Sequence, residues 1–405
     1  MKAVRFNASI PRYAFGITLG RLARPLLWSG LACAYAQELP EPRLPADDWV
    51  VVRTRYGGIC GTDLGTIHLH TSPYYLPFSS FPFTLGHENC GRLAAVGPAA
   101  GAWQVGQRVV VEPLLWCRPR GFDELCPACA QGEINRCLRF GDGRLAPGMF
   151  IGACRDTGGS WSDHFVAHAS QLYAVPDAVS DENALMVEPF ACGLHAALQS
   201  FPADDETVLI IGAGTMGLVT LAALRALGSA AAVLVVARHP FQAAAARRLG
   251  ASDALSGDAY AGLADRGLGR VFHPLIGKRV FVGGADLTFE CAGSDEALDD
   301  ALRLTRPGGR VALVGAAGLA RGVDWTAVFA QELDVRGAFT YHRAEQFGGQ
   351  RWSAFGLSLA LMAQGKLDLG WLVSHRYPLA GHRRALGDAG RRRRNQSIKA
   401  VFEFD

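Results

Sequence analysis

Thr207-Val208-Leu209-Ile210-Ile211-Gly212-Ala213-Gly214-Thr215-Met216-Gly217 is the stretch that decides the fold. Five β-prone apolar residues run into a Gly-x-Gly-x-x-Gly turn. An Ala/Leu-rich segment then continues to Leu227, where Gly228 stops it. The pattern predicts a buried strand, a tight turn and a helix. Glycines at such a junction let a dinucleotide pyrophosphate approach the helix N-terminus, where unpaired N–H groups face it. Alone, the glycine pattern is weak; between this strand and this helix it carries weight. Apolar strands recur at Ala232–Ala237, Ala285–Glu290 and Val311–Val314, and Glu332–Phe339 is expected to be the last. Their alternation with helical segments predicts an α/β chain with a doubly wound parallel sheet.

The strand at 232–237 ends in Arg238-His239-Pro240, with no acid nearby. An acid there would hold the ribose hydroxyls of NAD, whereas a cation suits the 2′-phosphate of NADP. Arg238 and His239 therefore favour NADP. The alternative is a surface arginine, with NAD held by other groups.

Upstream, Gly57-Gly58-Ile59-Cys60-Gly61-Thr62-Asp63 leads to Gly86-His87-Glu88. Cys60, His87 and Glu88 supply a thiolate, an imidazole and a carboxylate, the ligand types Zn²⁺ takes in tetrahedral sites. Gly57 and Gly58 permit a tight backbone approach ahead of Cys60. Thr62 is placed to relay a proton. The competing reading makes Cys60 and His87 unrelated core and loop residues. His68 and His70 are relay candidates only against the default of surface-loop histidines.

Cys126, Cys129 and Cys137 stand at short, fixed spacings with Gly132 and Asn135 between them. Such spacing lets thiolates converge at about 2.3 Å on one ion. Cys117 is the fourth candidate, nine residues before Cys126.

Together these motifs resemble the zinc-dependent medium-chain alcohol dehydrogenases, most closely their sorbitol and threonine dehydrogenase branch. The resemblance runs from about Trp49 to the C-terminus. It implies a Rossmann doubly wound parallel sheet over 192–341, and a GroES-like β-rich catalytic domain from 1–191 and 342–405. It implies a catalytic zinc on Cys60 and His87 plus Glu88 or Glu188, and a structural zinc in the cysteine lobe. In relatives the first lobe cysteine lies three residues before the second, so Arg118–Leu125 must loop out for Cys117 to reach. The resemblance also sets Lys399 at the coenzyme pyrophosphate, with a solvated surface lysine as the alternative. His195 is expected to be a helix residue and not a ligand. The implied activity is hydride transfer between an alcohol or polyol and a nicotinamide, with homodimers or homotetramers expected. Two alternatives remain: an NADPH-dependent carbonyl reductase of a biosynthetic pathway, or a coenzyme-binding homologue without chemistry. Cys60, His87 and Glu188 speak against the latter and against the zinc-free quinone reductase branch.

A chain of 405 residues implies about two domains. Apolar content of 49% and charge content of 19% suit a soluble globular enzyme. A net charge of +3 is too small to suggest a nucleic-acid partner. Arg391–Arg394 is expected to be a solvated surface turn, with nucleic-acid binding the lesser reading. The apolar run 25–36 is too short to span a bilayer and lies too far from Met1 for a signal peptide, since MKAVRF already forms a strand pattern. It is expected to pack, or to meet another subunit. Four clustered cysteines among ten favour a metal site in a reducing, cytoplasmic setting over disulfides. The stretch Leu255–Gly284 carries no functional assignment.

Overall fold

The protein, a computed structural model, is described over residues 1–405, apart from the side chains of Arg21, Arg392 and Arg393. It divides into two compact units. One comprises Met1–Glu188, His342–Ala344 and Arg351–Asp405; the other comprises Pro189–Tyr341 and Glu345–Gln350. No helix among the described residues is long and apolar enough to cross a membrane.

The second unit is built on six parallel strands. Their order is Asp253–Leu255, Ala232–Val236, Thr207–Ile211, Ala285–Glu290, Thr305–Leu313 and Asp334–Gly337. The chain starts in the middle at Thr207–Ile211, winds outward to one edge, then crosses back and winds to the other. Ligands of open α/β sheets bind at the strand C-termini where that order reverses, and Gly212 lies there. Leu209, Ile211, Leu255, Leu302 and Val311 form part of the core under the sheet. Pro307-Gly308-Gly309, whose composition predicts a turn, lies inside the strand Thr305–Leu313, with Gly308 at φ +70. Leu255–Gly284 folds as a short strand, the helix Ala259–Ala264 and an antiparallel hairpin, Gly269–Phe272 with Val280–Gly283. The hairpin tip exposes Leu275 and Ile276 almost completely.

The first unit centres on Trp49–Gly58, whose neighbours are all antiparallel. Asn89–Val96 pairs along one side; the other side is shared by His164–His168 on residues 49–53 and Lys399–Glu403 on residues 56–58. Trp49, Val50, Val52, Leu93, Val109 and Phe165 pack beneath. The pattern GAWQVGQRVVVEPLLW over 101–116 predicts an amphipathic strand after a glycine turn, but the strand is confined to Arg108–Val111. Gly106, at φ +87, makes a turn before it. Pro113 then lacks the N–H to continue the ladder, and Leu114 bridges to Phe150 instead. Residues 1–48 give the strand Lys2–Phe6, the helix Ile10–Ile17 and the strand Ala34–Glu38. In the apolar run, Leu27 and Trp28 are buried against Ile67 and Leu386. The run Arg391–Arg394 overlaps a short helix, Arg392–Asn395.

Candidate metal centres and coenzyme turn

Cys60 ends the central strand region and caps the helix Gly61–Ile67. Its backbone N–H donates to Asp63 Oδ2 at 3.0 Å. This is the reciprocal capping arrangement, and it fixes where the thiol points. Asp63 is 4% exposed, and its other oxygen lies 3.5 Å from His87 Nδ1. A carboxylate on Nδ1 orients the ring and leaves Nε2 as the ligating nitrogen. Burial disfavours the charged imidazole, but the Asp63 carboxylate and Cys60 thiolate outweigh it, holding the His87 pKa well above its ordinary value. A site that draws in a proton so strongly is one a divalent cation can occupy instead. Thr62 Oγ1 stands 3.5 Å from His87 Nε2.

The segment around His87 is clamped by residues 159–161. Ser160 Oγ donates to the Glu88 carbonyl at 2.7 Å, and Trp161 Nε1 donates to the Gly58 carbonyl at 2.8 Å. The close approach expected of Gly57 and Gly58 is present. A Cβ on Gly58 would meet Glu88 Oε2 at 1.9 Å, and one on Gly57 would meet the Ser160 carbonyl at 2.3 Å. The missing methyl on Gly58 makes the space that the Glu88 carboxylate fills, and the one on Gly57 lets the Ser160 backbone come close.

The ligand atoms of Cys60, His87 and Glu88 lie within 4.8 Å of one another. A soft thiolate, an imidazole and a carboxylate at that spacing fit a zinc ion. Lys399 is placed in this group. It is 2% exposed, its ammonium is ion-paired with Glu88 Oε2, and it lies 3.4 Å from the Ile59 carbonyl. Burial alone would lower its pKa; Glu88 first, then Cys60 and Glu188, turn the shift upward. Glu188 sits in the first turn of the helix Val187–Gln199 and is 6% exposed. It therefore contributes to the field around Lys399 while standing outside the tightest triad.

The four lobe cysteines converge as well. Cys117, Cys126, Cys129 and Cys137 are all buried, with their sulfurs within 4.8 Å of one another. Cys117 Sγ and Cys137 Sγ are 3.7 Å apart. Four sulfurs at about 2.3 Å from a tetrahedral ion are separated by about 3.8 Å. The extra residues before Cys126 coil into a turn, in which Arg120 N donates to the Trp116 carbonyl and Phe122 N to the Cys117 carbonyl. Arg120, fully buried, donates to the carbonyls of Leu115, Asp142, Leu145, Ala146 and Gly148. One guanidinium thus gathers both ends of the lobe. Hydrogen-bond donation from Cys129 lowers the Cys137 thiol to about 6.

In the other unit, Gly214 caps the helix Thr215–Ala226, with Met216 and Gly217 in its first turn. A Cβ on Gly217 would lie 1.9 Å from the Gly212 carbonyl, and one on Gly212 would lie 2.9 Å from Ala292 Cβ. The turn can be this tight only with glycine at both positions. Arg238 is exposed just beyond the strand Ala232–Val236. His239 caps the next helix and stacks on Phe241 with ring centroids 5.7 Å apart. His195 Nδ1 lies 2.7 Å from Glu345 Oε1 in the same unit.

Sequence reasoning missed Asp63, Ser160, Trp161 and Arg120. Asp63 was within reach, since it stands three residues after Cys60 as a capping partner does. The roles of Ser160, Trp161 and Arg120 rest on backbone partners brought together by the fold, and no local pattern announces them.

Residues 46–177 match the family model of the alcohol dehydrogenase GroES-like domain, and residues 215–353 match that of the zinc-binding dehydrogenases. L-idonate 5-dehydrogenase of Vitis vinifera is 31% identical over 81% of this chain and 80% of its own. Sorbitol dehydrogenase of Bacillus subtilis is 29% identical over 85% of this chain and 86% of its own. A solved structure from Sinorhizobium meliloti 1021 bound to NADP superimposes with a TM-score of 0.69 at 25% identity, covering 92% of this chain and 95% of the other. Thiolate, imidazole and carboxylate on one sheet end, a four-cysteine lobe and a glycine turn in a 3-2-1-4-5-6 sheet agree with these likenesses: the chain belongs to the zinc-dependent medium-chain alcohol dehydrogenase family, in its sorbitol and threonine dehydrogenase branch.

Proposed function

We propose that the chain oxidises a polyol or related secondary alcohol with NADP, using a zinc ion held by Cys60, His87 and Glu88. The observation that carries this reading is the convergence of those three ligand atoms within 4.8 Å. Glu188, on the Val187–Gln199 helix, is the alternative carboxylate. When bound, the ion acts as a Lewis acid that lowers the pKa of an alcohol. The rest falls to the chain. Asp63 holds the His87 ring through Nδ1. Lys399 takes one oxygen of Glu88 and leaves the other for a ligand. Thr62 Oγ1 is the exposed hydroxyl next to His87 and accepts the substrate hydroxyl proton on its way to solvent.

Four thiols at tetrahedral spacing support a second, structural zinc. Arg238 supports NADP, because a guanidinium matches a phosphate dianion and the strand Ala232–Val236 is followed by Arg238-His239-Pro240 with no acid to hold ribose hydroxyls. The same residue favours a second reading, an NADPH-linked carbonyl reductase using the same ligands in the opposite direction. A cytoplasmic homodimer or homotetramer remains part of the proposal by likeness to the family.

The test combines metal analysis with kinetics on one variant. Cys60→Ser should lose turnover and one zinc per chain while binding NADP as wild type does. A fully active Cys60→Ser enzyme would overturn the reading. For the coenzyme, kcat/KM with NADP should exceed that with NAD by at least tenfold, and Arg238→Ala should remove most of the difference. Equal efficiency with both would remove the NADP assignment.

A further inference from the structure

Arg391, the first residue of the basic run near the C-terminus, has no part in the proposed chemistry, yet it lines an open recess in the surface. A cleft of about 440 Å³ lies in the first unit between residues 25–29 and residues 383–391. Small-molecule sites typically occupy about 300–1,000 Å³. Its charged lining is three arginines, Arg383, Arg384 and Arg391, against one carboxylate, Asp388. Asp388 is already engaged: it accepts from Tyr377 Oη at 2.9 Å and lies 3.6 Å from Arg384 Nε. Arg383 reaches across toward the Ser29 carbonyl at 3.4 Å, and Arg24 stands at the rim, 3.6 Å from where a Cβ on Gly390 would sit.

The apolar wall is Pro25 and the buried Trp28. The surroundings respond to the positive charge. The pKa of His382 is lowered by burial first and by Arg383 next; that of His68 is lowered by burial first and by Arg24 next. A concave site with an aromatic wall, excess guanidinium and its one acid already paired is suited to a small anion that accepts several N–H bonds.

We propose that this cleft binds a phosphorylated small molecule, with its phosphate on Arg383 and Arg391 and its carbon skeleton against Pro25 and Trp28. The site shares no residue with the Cys60 group or the glycine turn, and it stands independently of the oxidoreductase reading. It has a structural route to the former. The Trp28 ring lies 6.2 Å from that of His68, which ends the helix that Cys60 begins.

The experiment is calorimetric titration of the full-length, zinc-loaded protein with inorganic pyrophosphate, in the presence of saturating NADP so that the coenzyme turn is filled. Wild type should bind one pyrophosphate, and Arg383→Ala/Arg391→Ala should bind it at least tenfold more weakly, with unchanged NADP affinity and unchanged basal turnover. Arg383→Lys/Arg391→Lys, which keeps the charge but not the fork, should fall between the two. Titration with sorbitol 6-phosphate separates a skeleton contact from phosphate alone: Trp28→Phe should weaken the sugar phosphate more than pyrophosphate. Identical isotherms for wild type and the double alanine variant would overturn the proposal. So would binding to phosphatidylserine vesicles without any pyrophosphate heat, since the patch would then serve a membrane surface.

Discussion

Lys399 shows what the sheet adds to a motif at the scale of one side chain. The resemblance sets a basic residue here at the coenzyme pyrophosphate; the fold buries Lys399 on Glu88, next to Ala400, whose carbonyl accepts from Ile59 N. A one-dimensional pattern records that a cation is present, but not which anion the sheet register brings to it. Removing one partner of a buried ion pair leaves a charge without solvent or counter-ion, at a cost of about 3–5 kcal/mol. Lys399→Met should therefore lower the unfolding stability of the zinc-free protein by that order in urea titrations, whereas a surface lysine would change nothing. Glu290 gives a second residue-scale prediction. Its Oε1 accepts from Ala292 N at 2.8 Å and Gly293 N at 2.7 Å, while Oε2 is buried without a hydrogen bond. Burial raises its pKa from 4.5 despite those two donors. A carboxyl whose folded pKa is raised stabilises the fold fully below its unfolded pKa, and that contribution is lost as pH rises through the folded value. Glu290→Gln should flatten the stability decline above about pH 4.5 and leave acid stability unchanged, as read from melting temperatures across pH.

At the scale of elements, what was legible was what repeats locally. The strand–turn–helix at 207–226 and five of the six parallel strands follow from apolar runs and glycine stops; the short edge strand Asp253–Leu255 does not. The strand expected over 101–116 was overestimated because apolar residues in 112–116 pack in a loop beside Phe150 as readily as in a ladder. The cysteine lobe was half legible. Its three close cysteines announce a metal knuckle, but whether Cys117 reaches them depends on Arg120 and its five carbonyls, which no spacing rule encodes. A buried guanidinium donating to so many carbonyls organises the loop more than any apolar contact there. Arg120→Met should leave those carbonyls without their donor, and zinc per chain should fall from about two to about one. Turnover per remaining zinc should persist. If Arg120→Met protein keeps both ions, Arg120 is not what holds Cys117 in place. Gly58→Ala tests the other centre. Its methyl group would overlap the Glu88 carboxylate at 1.9 Å, so turnover should drop by orders of magnitude while the lobe keeps its ion.

For the molecule as a whole, composition and length indicated two domains, and motifs told which contains which chemistry. What could not be foreseen is how the chain is divided. The first unit takes residues from three separate stretches, because Lys399–Glu403 completes the same sheet that Trp49–Gly58 begins. That division has a consequence during synthesis. A ribosome adds about 5–20 residues per second, so Cys60 and His87 leave it some 20–70 s, on that order, before Lys399 exists to neutralise Glu88. In the interval, the glycine-turn unit can close on itself, while the Cys60–His87–Glu88 centre waits as an open edge on a nascent chain. Zinc insertion is therefore expected to be a late event, gated by the last strand. A chain stopped after Ser397 should still bind NADP but retain only the lobe ion, and full metal occupancy in that truncated chain would show that the early-made segments assemble the centre unaided.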